Sequence, residues 1–293
     1  MPDNDASPAG ISDDLRLDRR AWVKASLSIG FCAAISPALG QTIATSPEGL
    51  IAGEVKIPAG GVDIPAYRAM PDHGGPFATV LVIHEIFGVH EHIKDVCRRW
   101  AKLGYYAIAP ELFARQGDAA AEKDMQKLMK DIVGKKSDAE AITDLDATLA
   151  FAGASGSADL GRAAVTGFCW GGRQTWLYAA HNPALKAGVA WYGPLAYPKS
   201  ESRPENPPDV IGKLKVPVLG LYGGMDKSIP LDQIDAMREK LAAAGGASKI
   251  IVYADAGHAF YADYRPSYVK ADAEASWKEA AAWVRGPGLF NAL

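Results

Sequence analysis

The chain has 293 residues, of which 48% are hydrophobic and 22% charged, with a formal net charge of −3. That is the composition of an ordinary globular protein, and its near-balance of charge gives no electrostatic reason to expect nucleic acid or anionic lipid as a partner. The sequence holds no run of like charges and no internal repeat, which excludes polyelectrolyte and solenoid architectures.

Residues 1–40 differ from the rest. Arg19-Arg20-Ala-Trp-Val-Lys24 precedes the uncharged run Ala25–Ile35, and Ser36-Pro-Ala-Leu-Gly40 provides a small-residue exit. The pattern resembles a twin-arginine export signal. Cleavage is expected after Gly40, leaving 41–293 as one catalytic domain in the periplasm. The apolar run is too short to cross a hydrocarbon core of ~30 Å, which takes about 20 residues, so no stable membrane insertion is expected after removal. The plainer reading is a basic start leading into an amphipathic helix.

From Gly53 onward strands and helices alternate. "GEVKIPAGGVDIPAYRAM" reads as an antiparallel hairpin turning at Ala59-Gly60-Gly61. Ala78–His84 is a continuous apolar, β-branched run, the mark of a strand buried on both faces. A helix is predicted over 91–103 with Gly104 at its C-terminal cap, then a strand over 105–109 stopped by Pro110. Residues 116–138 are polar and read as an irregular excursion with helical pieces. A helix over 140–151, a strand over 163–167, a helix over 173–180 and a strand over 187–192 follow. "GPLAYPKSESRPENPPD" reads as a surface loop. A strand over 216–222, a helix over 231–244, a strand over 248–253 and a helix over 268–284 complete the chain. Such alternation implies a mostly parallel central sheet with helices on both faces, whose ligands bind beyond the carboxyl ends of the strands.

Four residues stand at those ends: Glu85, Cys169, Asp226 and His258. Cys169 lies in "GFCWGG" between strand and helix, which is the G-x-S-x-G nucleophile elbow with sulfur in place of oxygen. The chain order of nucleophile, acid and histidine is that of α/β-hydrolases. In these roles His258 accepts the thiol proton and Asp226 fixes its tautomer. Each has a plainer reading: Cys169 as core, Asp226 as a turn or cap residue before the helix opening at Ser228-Ile-Pro230, and His258 as a loop histidine. Asp255, three residues before His258, is the competing acid. Glu85 reads either as an exposed or capping residue or as an anion that raises the thiol pKa and keeps Cys169 protonated at rest. Cys32 would leave with the leader. Cys97 falls on the apolar stripe Ile93, Val96, Trp100 and Leu103, so it reads as a buried small hydrophobe and not as a disulfide partner of Cys169.

The stretches "HEIFGVH", "APELFARQGD", "GFCWGG", "YGGMD" and "AGHAFYADYRPSY" together resemble the dienelactone hydrolase (carboxymethylenebutenolidase) family over about Gly53–Arg285. The resemblance implies an α/β-hydrolase fold and a Cys169–His258–Asp226 triad with no cofactor and no metal. It implies that Glu85 governs the thiol and takes its proton, and that the backbone N–H groups of Trp170 and Ile86 form the oxyanion hole. Arg115 matches a family arginine that binds the substrate carboxylate. A second family arginine, four residues after the histidine, is replaced by Ala262, and Arg265 is the candidate substitute. Trp170, Tyr192 and Phe260 are expected to wall the pocket, with core packing as the plain alternative. The expected reaction is hydrolysis of a small ester or lactone through a thioester; its oligomeric state is left open. Two other classes stand beside it. His84-Glu85 with His90 and His92 matches no zinc spacing, which argues against a metal hydrolase. The second is a non-catalytic or redox-sensing thiol protein on the same fold.

Overall fold

The computed structural model describes residues 42–286. The leader expected over 1–40 lies outside the described residues. Among the described residues, eight strands form one sheet in the order β1-β2-β4-β3-β5-β6-β7-β8. They are β1 (Leu50–Ala59), β2 (Val62–Pro71), β3 (Phe77–Ile83), β4 (Tyr106–Pro110), β5 (Ala158–Phe168), β6 (Leu185–Trp191), β7 (Val218–Gly223) and β8 (Lys249–Tyr253). The hairpin β1–β2 joins the sheet antiparallel along β4, and the remaining pairs are parallel. β7 is buried throughout, and β3 from its second residue on. Neighbouring side chains on a strand point to opposite faces, so unbroken burial means that both faces are covered.

Five longer helices accompany the strands: α1 (Glu91–Lys102), α2 (Asp138–Ala154), α3 (Trp170–His181), α4 (Leu231–Ala244) and α5 (Lys270–Arg285). The excursion after β4 contains only short helical turns over 125–135, in keeping with its polar sequence. Several elements run longer than the pattern predicts, α2 by two residues at its start and three at its end. β5 starts at Ala158, and α3 starts at Trp170, directly after the nucleophile position.

Aromatic side chains fill the space behind β5 and β6. Phe168 stacks on Trp191 (5.3 Å between centroids), Trp191 meets Tyr261 (4.5 Å), and Trp277 of α5 reaches Trp100 of α1 (4.7 Å). The indole N–H of Trp191 donates to Thr166 (3.0 Å), so the buried polar tip is satisfied. Cys97 is fully buried on α1 and free, as its apolar stripe predicts, and burial pushes its thiol far up.

A buried ion pair ties α2 to α3. Asp138, in the first turn of α2, accepts from Arg173 Nη1 (2.6 Å) and Nη2 (2.9 Å) and from Gln174 Nε2 (2.9 Å). The Arg173 side chain is fully buried. Removing one partner of such a pair leaves an uncompensated charge, so Asp138→Ala should cost about 3–5 kcal/mol. Thermal or denaturant unfolding of the variant beside the wild type checks this.

Candidate active site

β5 enters α3 through Cys169, whose backbone has φ 52° and ψ −116°. That geometry is strained for a side-chain-bearing residue, by about 1–3 kcal/mol, and it persists only where the surroundings hold it. Here they do. The Cys169 N–H donates to the Trp191 carbonyl (3.0 Å), and the Cys169 carbonyl accepts from the Arg173 N–H (3.1 Å). Glycines permit the close approach. A Cβ on Gly171 would lie 2.4 Å from the Ile83 carbonyl oxygen, and one on Gly172 would lie 2.5 Å from that of Trp191. The other non-glycine positive φ values among the described residues belong to Tyr192 (36°) and Ala259 (59°). Both adjoin the same site: the Tyr192 ring meets His258 edge-on at 5.3 Å, and Ala259 follows that histidine.

His258 Nδ1 lies 2.7 Å from Asp226 Oδ2. Ser228 completes the acid's shell, donating to Asp226 Oδ1 from its hydroxyl (2.6 Å) and its N–H (2.8 Å). The His258 ring is also within hydrogen-bonding reach of the Cys169 side chain. With Nδ1 taken by Asp226, Nε2 is the nitrogen left for the thiol. Burial alone would lower the His258 pKa, but Cys169 and Asp226 outweigh it and raise it to about 10. Burial would likewise raise the Asp226 carboxyl, yet His258 and Ser228 hold it below its ordinary value. Asp255, the competing acid, is exposed.

Glu85 is buried rather than exposed or capping. Its Oε2 accepts from the Tyr264 hydroxyl (2.7 Å) and from Arg265 Nη2 (3.1 Å), with His90 Nε2 at 3.9 Å. Its Oε1 is buried with no hydrogen-bond partner among the described residues. Burial pushes the carboxyl up, but Arg265 first, then His90 and His92, outweigh it and hold it well below the usual carboxylate range. The expected bare anion beside the thiol is therefore a charge-balanced pair.

The arginines depart from expectation. Arg265 is spent on Glu85 and on the Tyr264 hydroxyl (3.0 Å from Nε), with its guanidinium 4.9 Å from the Phe87 ring centre. Arg115 points to a different acidic cluster: Nη1 donates to Asp144 (2.6 Å) and Glu140 (3.2 Å), and Nη2 to the Ala59 carbonyl (2.7 Å). None of its described contacts involves Cys169, Asp226, His258 or Glu85. A guanidinium whose Nη1 is taken by two carboxylates and whose Nη2 is taken by a backbone carbonyl has little left for a substrate. Phe260 and Tyr192 are both fully buried, with their rings 5.6 Å apart.

Trp170 opens α3, and helix geometry leaves the N–H of a first residue without an intrahelical partner. Ile86 is buried one residue after Glu85. His84 joins the two segments. Its Nε2 accepts from the Leu112 N–H (3.0 Å), which makes Nδ1 the protonated nitrogen that donates to the Glu85 carbonyl (2.6 Å). Its ring stacks on Trp170 at 5.8 Å. This histidine is structural, and among the described residues no group of three or more His, Cys, Asp or Glu is placed to hold a metal ion.

The model of the Dienelactone hydrolase family matches residues 64–286. The chain belongs to the dienelactone hydrolase family. It is 56% identical over 286 residues to a protein of Methylorubrum extorquens named "Putative carboxymethylenebutenolidase", covering 97% of this chain and 98% of that one. A protein of the same name from Escherichia coli K12 is 49% identical over 265 residues, 90% of this chain and 97% of its own length. The crystal structure of a "Putative Dienelactone Hydrolase" from Klebsiella pneumoniae superposes with a TM-score of 0.79 at 51% identity, covering 81% of this chain and 99% of that one. The eight-stranded sheet is thus an α/β-hydrolase sheet.

Within this dienelactone hydrolase family member, sequence reasoning missed Tyr264 as a Glu85 ligand and Ser228 as a ligand of Asp226. It also missed the internal pairings that order the 193–209 loop, such as Tyr197 with Asn206. The loop carries Tyr197, whose hydroxyl pKa is raised by burial and by the charge of Cys169. A cavity of about 330 Å³ lies between Ser137, Leu177, His181, Glu205 and Lys213, and none of the triad lines it.

A raised folded pKa means that the folded chain binds this proton more tightly than the unfolded one. His258 therefore stabilises the fold in full below its ordinary 6.5, and the contribution is lost as pH rises through about 10. The gap in melting temperature between wild type and Asp226→Asn should be widest near pH 6 and should narrow toward pH 10. A gap that is flat across this range would contradict the assignment.

Proposed function

We propose that this dienelactone hydrolase-like enzyme cleaves a small ester or lactone through a thioester on Cys169. The observation that carries the reading is a cysteine held at φ 52° at the start of α3, beside a histidine whose far nitrogen is bound to Asp226 at 2.7 Å. In the first half-reaction the sulfur attacks the carbonyl carbon and the carbonyl π electrons move to oxygen. The N–H groups of Trp170 and Ile86 are assigned to that oxyanion, the first with the positive end of the α3 dipole behind it. Collapse of the adduct breaks the acyl C–O bond, and His258, whose raised pKa of about 10 makes it an imidazolium at rest, gives its proton to the leaving oxygen. For a lactone the leaving oxygen stays on the same molecule.

In the second half His258 takes a proton from water, whose oxygen attacks the thioester carbonyl; the acid is released and the departing sulfur takes back the proton that Glu85 had held. Asp226 holds the imidazole and balances the imidazolium. Glu85 is assigned to the thiol proton through its unpartnered Oε1. Arg265 limits that basicity, so proton transfer to Glu85 requires the Arg265 pair to loosen. Nothing favours a redox-sensing role, because oxidation tracks exposure and Cys169 is only 2% exposed.

The test is turnover of an activated aryl ester by the full chain, with intact mass after an acid quench. Wild type should turn over and carry an acyl adduct; Cys169→Ala should do neither. Equal hydrolysis by both proteins would remove Cys169 as the nucleophile.

Export to the periplasm through the paired arginines Arg19 and Arg20 is proposed on sequence alone. Replacing both with lysine should shift the protein from the periplasmic to the cytoplasmic fraction.

A further inference from the structure

The chain that leaves β8 carries His258 of the triad and, further along, Tyr264, which reaches back to Glu85 after the end of β3. The sheet itself sets Glu85 beside the nucleophile. β3 and β5 run parallel with Ile83 opposite Gly167, so two residues on Glu85 comes level with Cys169. Neighbouring strands lie about 4.8 Å apart. The start of α3 presses on the same chain, since a Cβ on Gly171 would meet the His84 carbonyl oxygen at 2.5 Å.

The Tyr264 hydroxyl stands at a junction. It donates to Glu85 Oε2 (2.7 Å), accepts from Arg265 Nε (3.0 Å) and lies 3.4 Å from His90 Nε2. A phenol has one hydrogen to give. At rest the shorter contact takes it. The 3.4 Å contact is longer than an ordinary hydrogen bond, as befits an acceptor that is present but not in use. The His90 ring is held in place, edge-on to Tyr264 at 5.0 Å and stacked on His92 at 6.1 Å. His92 is in turn tied to Asp263, next to Tyr264 in the chain, at 3.1 Å. Both acceptors are therefore fixed, and the hydroxyl hydrogen is the part that turns. The other carboxylate oxygen, Glu85 Oε1, is buried with no hydrogen-bond partner among the described residues.

We propose that Tyr264 is a positioning residue for the thiol step, its hydroxyl hydrogen resting on Glu85 Oε2 and turning to His90 Nε2 when Glu85 takes the proton of Cys169. The proposal rests on the reading above, in which Glu85 receives that proton. At rest the bond from Tyr264 steadies the anion and so holds back transfer from sulfur. When the S–H proton moves to Oε1, Oε2 becomes the oxygen of a neutral acid and a weaker acceptor. A neutral His90 with its proton on Nδ1 then offers the hydroxyl a better partner. One proton has moved from sulfur to carboxylate, and the Tyr264 O–H bond has turned without breaking. The motion reverses when the sulfur takes its proton back.

The test is the rate at which iodoacetamide alkylates Cys169 in the full chain, read by intact mass, with Cys169→Ala giving the background of the other cysteines. The thiolate is the reacting form, so the rate follows the loss of the thiol proton. Tyr264→Phe leaves the Glu85 anion less steadied and should speed alkylation about tenfold. His90→Leu removes the second acceptor and should slow it about fivefold, while His90→Gln, whose amide oxygen accepts, should stay near wild type. In the Tyr264→Phe background His90→Leu should change nothing, because no hydroxyl is left to turn. Glu85→Gln should erase the Tyr264→Phe effect. Side chains that merely pack would give losses of one sign that persist in the double variant. Equal rates in wild type and Tyr264→Phe, no reaction in either, or a His90→Leu effect that survives Tyr264→Phe would overturn the proposal. Alkylation needs no ester. The expected rates without ester turnover would remove the hydrolase reading alone, and turnover without them would remove the Tyr264 switch alone.

Discussion

The close approach of α3 to the ends of β3 and β6 is the constraint on which the rest depends. At Gly171 and Gly172 there is room for hydrogen only, since a Cβ would meet the carbonyl oxygens of Ile83 and Trp191 at 2.4 and 2.5 Å. That proximity forces the chain through a left-handed residue at Cys169 and aims its side chain out of the turn. It also sets the helix N-terminus beside the chain that leaves β3. The strain at Cys169 is local, but its support is distributed among Trp191, Arg173 and the aromatic stack behind β5 and β6.

Around this turn the buried charges are organised as separate compensated groups. Glu85 is balanced by Arg265, Asp138 by Arg173, and Asp144 by Arg115 and Lys136. Each group ties together elements distant in sequence, and the Glu85–Arg265 and Asp138–Arg173 pairs are expensive to break because both partners are out of water. A second staple holds the chain after the histidine. Asp263 accepts from Arg99 of α1 and meets His92 at 3.1 Å, which fixes the segment bearing Ala259, Tyr264 and Arg265 against α1.

Much of this was legible in the chain itself. The run Ala78–His84 announced a strand buried on both faces. The glycines around Cys169, with Asp226 and His258 after later apolar runs, announced the elbow and its partners. Periodicity cannot report which oppositely charged residues meet. Arg115 resembled a substrate-binding arginine because of its neighbours in "LFARQ", whereas its contacts are set by Glu140 and Asp144, which face one side of α2 one turn apart. Arg265 was legible as a candidate arginine but not as the partner of Glu85, 180 residues earlier. The 193–209 loop read as surface because proline and polar residues dominate it. Its ordering comes from pairings such as Tyr197 with Asn206 that composition does not encode.

His84 has a consequence beyond its own hydrogen bonds. Its ring is clamped between the Leu112 N–H and the Glu85 carbonyl and lies flat against Trp170. The Glu85–Ile86 peptide unit, whose carbonyl His84 holds, is thereby tied to the Trp170 side chain at the start of α3 before any ligand arrives. In the proposed oxyanion hole, two donors fixed in advance would need no rearrangement as negative charge develops between them, whereas water dipoles would have to turn. On that reading much of the electrostatic advantage is stored during folding, with the buried His84 ring as its custodian.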